Sequence, residues 1–217
     1  MYKTVVFDLD GTLLNTLTDL ADAGNRLCRK YGWPTHERQA YRYFVGNGIP
    51  KLVERLAPAD QRTPAVLEAA LADFKRDYGQ HLRDTTAPYP GIPEMLAKLK
   101  ANGVQLAVFS NKADALAKEV VKDYFGTQYF TIVRGQMTGV APKPAAEGTN
   151  ALLQALHADP ASTLYVGDSN VDVETAHNAN PPCCGAVWGF RTREELNAAG
   201  AEYLAENSDE LYDVIMK

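Results

Sequence analysis

Val5-Val6-Phe7-Asp8-Leu9-Asp10-Gly11-Thr12-Leu13-Leu14 carries an apolar run straight into two carboxylates one residue apart, then into Gly-Thr. A strand buried on both faces of a sheet reads as a continuous apolar run. Such a strand has no reason to end in two acids unless something cationic meets them there. The segment is therefore read as a sheet strand with the chemistry of the molecule at its end.

Outward from it, the chain shows two textures. From Met1 to Leu14, and again from about Tyr89 onward, short β-rich runs alternate with helical patterns. The strand candidates are 4–8, 104–110, 129–133, 163–167 and 184–188. Strand-then-helix alternation predicts a parallel sheet covered by helices. Helix ends are well marked: Pro93 opens one helix and Asn102-Gly103 closes it, while Thr192 with Glu195 forms a capping box. Between about Thr16 and Thr86 the periodicity is helical throughout, as in Leu17, Leu20, Ala21, Gly24, Leu27 and Val66, Leu67, Ala70, Phe74. Thr63-Pro64 starts a helix there, and Ala87-Pro88-Tyr89-Pro90-Gly91 is a turn-rich return to the sheet pattern. The expected organisation is an α/β core of residues 1–14 and 88–217, with a helical cap over 15–87.

The 217 residues suffice for a full core and a small second domain. A net charge of -5 with pI near 5.4 argues against nucleic acid as a partner. No apolar stretch is long enough to span a bilayer, and the first strand begins without the basic and apolar segments of a secretory signal. A cytoplasmic location is expected. Cys28, Cys183 and Cys184 form no metal-ligand or disulfide spacing, and the adjacent pair is read as small apolar filling of a late strand. The histidines at 36, 81, 157 and 177 match no metal spacing and are read as surface residues, and Tyr41, Tyr43 and Phe44 as packing within the helical segment.

In an open parallel sheet, ligands gather at the carboxyl ends of the strands. The first strand ends in Asp8 and Asp10, the second in Ser110-Asn111-Lys112, and the fourth in Asp168-Ser169 with Asp172 a turn later. Lys143 is held between Pro142 and Pro144 before that fourth strand. Clustered carboxylates repel unless a hard cation joins them, and oxygen-only ligands favour Mg²⁺. A lysine beside that cation needs an anion of several charges between them, and phosphate meets the need.

These motifs, Asp8-Leu9-Asp10-Gly11-Thr12, Ser110-Asn111, Lys143, and Gly167-Asp168-Ser169 with Asp172, resemble those of the haloacid dehalogenase superfamily of phosphohydrolases. The resemblance covers essentially the whole chain. It implies a Rossmann-like α/β core with an inserted α-helical cap domain, and a phosphatase that uses Mg²⁺. By the same resemblance, Asp8 is the nucleophile that becomes an aspartyl-phosphate, and Asp10 protonates the leaving oxygen and then activates water. The metal set implied is Asp8, the Asp10 carbonyl and Asp168, with Asp172 supporting that shell or orienting Lys143. Ser110, Asn111 and Lys143, with Thr12, would hold the phosphoryl group. Asn15 departs from the family, which usually shows an Asp there, and is read as a helix cap or turn residue.

The substrate reading rests on Phe44-Val45-Gly46-Asn47-Gly48-Ile49-Pro50-Lys51-Leu52, similar to the glycine-containing cap loop of phosphoglycolate phosphatases. Gly46, Asn47 and Gly48 allow close backbone approach to a ligand. Tyr89-Pro90-Gly91 and Trp188-Gly189-Phe190 with Glu194-Glu195-Leu196 also look like that group. A small phosphorylated metabolite, 2-phosphoglycolate, is the expected substrate, with Arg42, Lys51 and Arg55 as candidate cations for its carboxylate. The alternatives are a mutase similar to β-phosphoglucomutase, a pyrophosphatase, a broad phosphomonoesterase, and a non-catalytic metabolite-binding module. A monomer or homodimer is expected.

Overall fold

The computed structural model describes residues Met1–Lys217. The opening apolar run forms β1 (Thr4–Phe7), followed by β2 (Leu14–Asn15) and the helices α1 (Leu17–Tyr31), α2 (Arg38–Phe44), α3 (Ile49–Leu56) and α4 (Pro64–Gln80). After β3 (Ala87–Pro88) come α5 (Ile92–Ala101), β4 (Gln105–Ala113), α6 (Asp114–Phe125), β5 (Phe130–Gln136) and α7 (Ala146–Leu156). The chain closes with β6 (Thr163–Gly167), α8 (Asn170–Ala179), β7 (Cys183–Ala186), α9 (Arg193–Ala199), β8 (Tyr203–Ala205) and α10 (Ser208–Met216). Two compact units result: Met1–Asn15 with Pro88–Lys217, and Thr16–Ala87. No helix is long and apolar enough to cross a membrane.

The first unit is built on a six-stranded sheet in the order β5-β4-β1-β6-β7-β8. Every neighbouring pair in it runs parallel. β1 lies between β4 and β6, with Phe7 beside Val108 on one side and Val166 on the other. Its apolar side chains are fully buried, which is why the segment reads as unbroken Val-Val-Phe rather than an alternation. Successive side chains still point to opposite faces. Val6 joins Ala107, Phe109 and Tyr165 in a core closed by Leu152 and Leu156 of α7, Val173 and Ala176 of α8, and Leu196 of α9. On the other face Phe7 meets Phe130 edge to face, and Phe130 meets Phe125 of α6 in the same way.

Several strands differ from expectation: β5 runs to Gln136 rather than 133, and β7 stops at Ala186 rather than 188. β4 runs on through Ser110, Asn111 and Lys112 to Ala113, because pairing with β5 resumes at Ala113 and Gln136 after a register irregularity. β8 went unpredicted, since three residues at a sheet edge are too few to show a period. Cys183 and Cys184 are fully buried in β7, filling the core as small apolar groups.

The second unit is helical. α1 buries Leu20, Ala21, Ala23, Gly24, Leu27 and Cys28, and α4 buries Ala70, Phe74 and Tyr78. Tyr41 is fully buried and donates to Asn25 Oδ1 at 3.0 Å, whereas Tyr43 is exposed. His36 is not a solvated surface group: its ring stands edge-on to Tyr41 and Phe44, and its backbone is held by Asn25. Thr63 caps α4 as the sequence implied, and the Thr192–Glu195 box caps α9. Asn15 caps nothing; it sits in β2, and Thr16 takes the position before α1.

Within this unit Asp19 is buried and accepts from the backbone N–H of Thr85 (2.9 Å) and of Thr86 (2.9 Å), and from the hydroxyls of both (2.5 and 2.7 Å). One carboxylate from the first turn of α1 thus ties down the segment that leads back to the sheet.

Candidate active site

The backbone turn that follows β1 is held by local hydrogen bonds. The Leu9 carbonyl accepts from the N–H groups of Thr12, Leu13 and Leu14 (3.3, 3.0 and 3.0 Å), and Gly11 N–H donates to Leu14 O at 2.8 Å. Gly11 has φ +91°, and a Cβ there would collide with the Asp168 carboxylate, so only glycine lets the turn pass beside it. The result is a tight elbow that leaves Asp8 at the strand end and Asp10 on the turn.

Asp8, Asp168 and Asp172 converge, with carboxylate oxygens within 4.8 Å of one another and all three residues buried. Three buried acids so close repel one another. Burial pushes the Asp8 carboxyl up to about 7, Asp172 and Asp10 add to the rise, and Lys143 opposes it. Asp168 is driven well above the usual carboxylate range by burial, then by Asp172 and Asp8. Such an oxygen-only set fits a hard divalent cation of the Mg²⁺ kind, which would relieve the repulsion.

Lys143 supplies the opposite charge. Its Nζ lies 2.8 Å from Asp8 Oδ1 and 2.7 Å from Asp172 Oδ1, and it donates to Phe109 O at 3.3 Å. Burial works against the ammonium, but Asp172 and Asp8 outweigh it and hold the lysine pKa well above its ordinary value. The loop carrying Lys143 is clamped by Asn111, whose Nδ2 donates to Lys143 O (3.2 Å) and whose Oδ1 accepts from Lys143 N–H (2.9 Å). Asn111, expected on the phosphoryl group, therefore has its side-chain amide on this loop. Ser110 is buried, and its Oγ accepts from Lys112 N–H at 3.2 Å.

The remaining site residues are supports. Thr12, expected among the substrate contacts, is fully buried and donates its hydroxyl to Asp168 Oδ1 at 3.1 Å. Asp168 Oδ2 accepts from Phe190 N–H at 2.7 Å, and Trp188 Nε1 donates to Thr12 O at 3.0 Å. Asp172 closes a capping box at the start of α8: its Oδ2 accepts from Ser169 N–H (3.1 Å) and Oγ (2.6 Å), leaving Oδ1 for Lys143. Of the alternatives open for Asp172, the 2.7 Å contact is the one that orienting Lys143 requires.

The Asp10 carboxylate stands apart from the acid cluster. It faces Lys112, whose Nζ lies 3.1 Å from Oδ1 and 3.4 Å from Oδ2. The sequence places Lys112 at a strand end directly after Ser110-Asn111, and only the fold shows that its partner is Asp10. Ser169 and Phe190 stand in motifs that the sequence offers, but their parts, a helix cap and a backbone N–H to Asp168, are visible only in the fold.

Gly46, Asn47 and Gly48 lie in the helical unit, between α2 and α3. Both glycines have positive φ, +113° and +82°. Arg55 holds this loop, donating to Tyr43 O (3.1 Å), Phe44 O (2.8 Å) and Asn47 Oδ1 (2.8 Å). Lys51 pairs with Glu54 at 2.9 Å.

Residues 5–186 match the family described as haloacid dehalogenase-like hydrolase. A phosphoglycolate phosphatase of Chromobacterium violaceum is 31% identical over 216 residues, covering 98% of this chain and 96% of its own. One from Thiobacillus denitrificans is 31% identical over 191 residues, covering 87% and 84%. Among solved structures, a protein of Lactobacillus delbrueckii subsp. bulgaricus, proposed to be a phosphoglycolate phosphatase, has TM-score 0.93 at 28% identity, covering 99% of this chain and 98% of its own. With the match running from within β1 to the end of β7, the chain belongs to the haloacid dehalogenase-like hydrolase family.

Proposed function

We propose that this chain is a phosphatase that cleaves a phosphomonoester through an aspartyl-phosphate on Asp8, with Mg²⁺, and that its substrate is 2-phosphoglycolate. The observation that carries the reaction is the ammonium of Lys143 at 2.8 Å from the Asp8 carboxylate inside a buried triad of acids. The triad of acids leaves a place for a hard cation, and that cation together with the fixed ammonium would neutralise a transferring phosphoryl dianion. The substrate is supported by relatives of that name at 31% identity over nearly the whole chain.

In the first step an Asp8 carboxylate oxygen forms a bond to phosphorus, and the ester P–O bond breaks with its electron pair on the departing oxygen. Asp10 gives that oxygen its proton. In the second step a water oxygen bonds to phosphorus, its proton passes to Asp10, and the electron pair of the broken acyl-phosphate bond returns to Asp8. Lys143 and Ser110 hold the phosphoryl oxygens, while Asp172 keeps Lys143 aimed. Asp8, Asp168 and the Asp10 carbonyl are the residues that would hold Mg²⁺, which supplies further neutralisation of the phosphoryl charge. Selection among esters is assigned to the loop Gly46-Asn47-Gly48.

The test is phosphate release from 2-phosphoglycolate beside sugar phosphates, nucleotides and pyrophosphate, with Mg²⁺ or with EDTA, and with Asp8→Asn as the blank. Preference for 2-phosphoglycolate, lost with EDTA and in D8N, is the expected result. Broad turnover keeps the mechanism and removes the substrate. Interconversion of sugar phosphates in place of release makes the chain a mutase, and phosphate binding with no turnover makes it a binding module.

A further inference from the structure

We propose that Lys112 is the positioning residue for Asp10, holding the carboxylate that moves protons in a single orientation at the end of β1. The inference deepens the phosphatase reading and rests on it. Elbow hydrogen bonds fix the Asp10 backbone: Gly11 N–H donates to Leu14 O at 2.8 Å, and Asp10 itself bridges to Leu14. What stays free is rotation of its side chain. The Lys112 ammonium closes that freedom, because it reaches both oxygens, at 3.1 and 3.4 Å, and so sets the plane of the carboxylate as well as its direction.

Lys112 is itself fixed. It lies within β4, its backbone N–H donates to Ser110 Oγ at 3.2 Å, and its side chain is 2% exposed against 15% for Asp10. A lysine normally keeps its ammonium in water, and one this deeply buried is held by what it pairs with. The extension of β4 past Ser110 brings it here: the strand runs on to Ala113 and delivers Ser110, Asn111 and Lys112 in sequence, the first on the phosphoryl side, the second on the Lys143 loop, the third on Asp10. A group that must meet a leaving oxygen in one step and a water in the next gains from being held still between them, since misplacing it by about an ångström costs on the order of a hundredfold.

The experiment is a double-mutant cycle on the ester that the wild type turns over fastest, with kcat and KM measured for Lys112→Met, Asp10→Asn and the double variant. Lys112→Met is expected to lower kcat about tenfold to a hundredfold with KM within about twofold, and Lys112→Arg to restore most of the loss. Combined with Asp10→Asn, Lys112→Met should cost less than about twofold more, because the lysine acts through the residue already removed. Thermal denaturation accompanies each variant, and Lys112→Gln replaces the methionine in the cycle if that variant does not fold. An equal loss in both backgrounds, or an unchanged kcat for Lys112→Met, overturns the proposal while leaving the phosphatase reading standing. A wild type that releases phosphate from no ester overturns both.

Discussion

The Lys143 ammonium and the Asp172 carboxylate face each other at 2.7 Å, with only 2% and 1% of their side chains exposed. Removing one member of a buried pair leaves the other charge stranded, at about 3 kcal/mol or more. Asp172→Ala also removes the N3 half of the capping box on α8, in which its Oδ2 accepts from the Ser169 N–H and hydroxyl. Urea denaturation should show a loss of about 3–4 kcal/mol in D172A and a smaller one in the D172A/K143M double variant, in which no stranded lysine remains. A loss in D172A below about 1 kcal/mol would mean that Asp8 alone satisfies Lys143.

The carboxylates of Asp8, Asp168 and Asp172 repel one another, so a divalent cation joining them should stabilise the fold. At a concentration a hundredfold above its dissociation constant, a bound ligand adds about 2.7 kcal/mol, or about 5–10 °C in midpoint for a chain of this size. Mg²⁺ should raise the midpoint of the EDTA-treated protein by that order, and Asp168→Asn should abolish the rise. A D168N protein that still shifts fully would remove Asp168 from the ligand set.

Asp19 accepts four hydrogen bonds from Thr85 and Thr86 in the helical unit. Asp19→Ala leaves two backbone N–H groups without their acceptor, each at about 1–3 kcal/mol when buried. We expect D19A to lose at least about 2 kcal/mol in chemical denaturation. Amide hydrogen exchange at Thr85 and Thr86 should quicken more than in the strands of the sheet; unchanged protection there would refute the assignment.

The thiols should be inert in the native protein. Burial pushes Cys28 up to about 11 and Cys184 up to about 12, and it drives Cys183 well above the ordinary thiol value. Iodoacetamide at pH 8 should therefore label none of the three at an appreciable rate until denaturant is added. The sign for stability follows: groups raised in the folded state favour folding below pH 9 and withdraw that contribution as pH climbs toward 11–12. Rapid native labelling of Cys183 or Cys184 would show that β7 opens readily, and of Cys28 that α1 does.

Much of the site was legible because its residues stand at the ends of strands, where an apolar run stops abruptly at a polar residue. Asp8, Asp10, Ser110 and Asp168 could be read that way, and Lys143 from the prolines on either side of it. Thr12, Asn111 and Asp172 were identified as site residues, but the partners that their side chains choose, Asp168, the Lys143 loop and Ser169 with Lys143, were not legible. Those choices depend on distances between residues as much as 156 positions apart. The partners of Lys112 and Phe190 were no more legible: a lysine is ordinarily solvated, and a backbone N–H carries no signature of its residue type.

The local alternation of short apolar runs with helical periods, the helical character of 16–86 and the acids closing β1 needed nothing beyond the order of the residues. Each follows from the period of a strand or helix and from the cost of burying charge, which are properties of short segments. Sheet order, the continuation of β4 to Ala113 and the pairing of Lys112 with Asp10 and of Lys143 with Asp8 and Asp172 came only with the folded chain. Strand register and the meeting of distant charges are set by packing across the whole core, and no short segment carries that information.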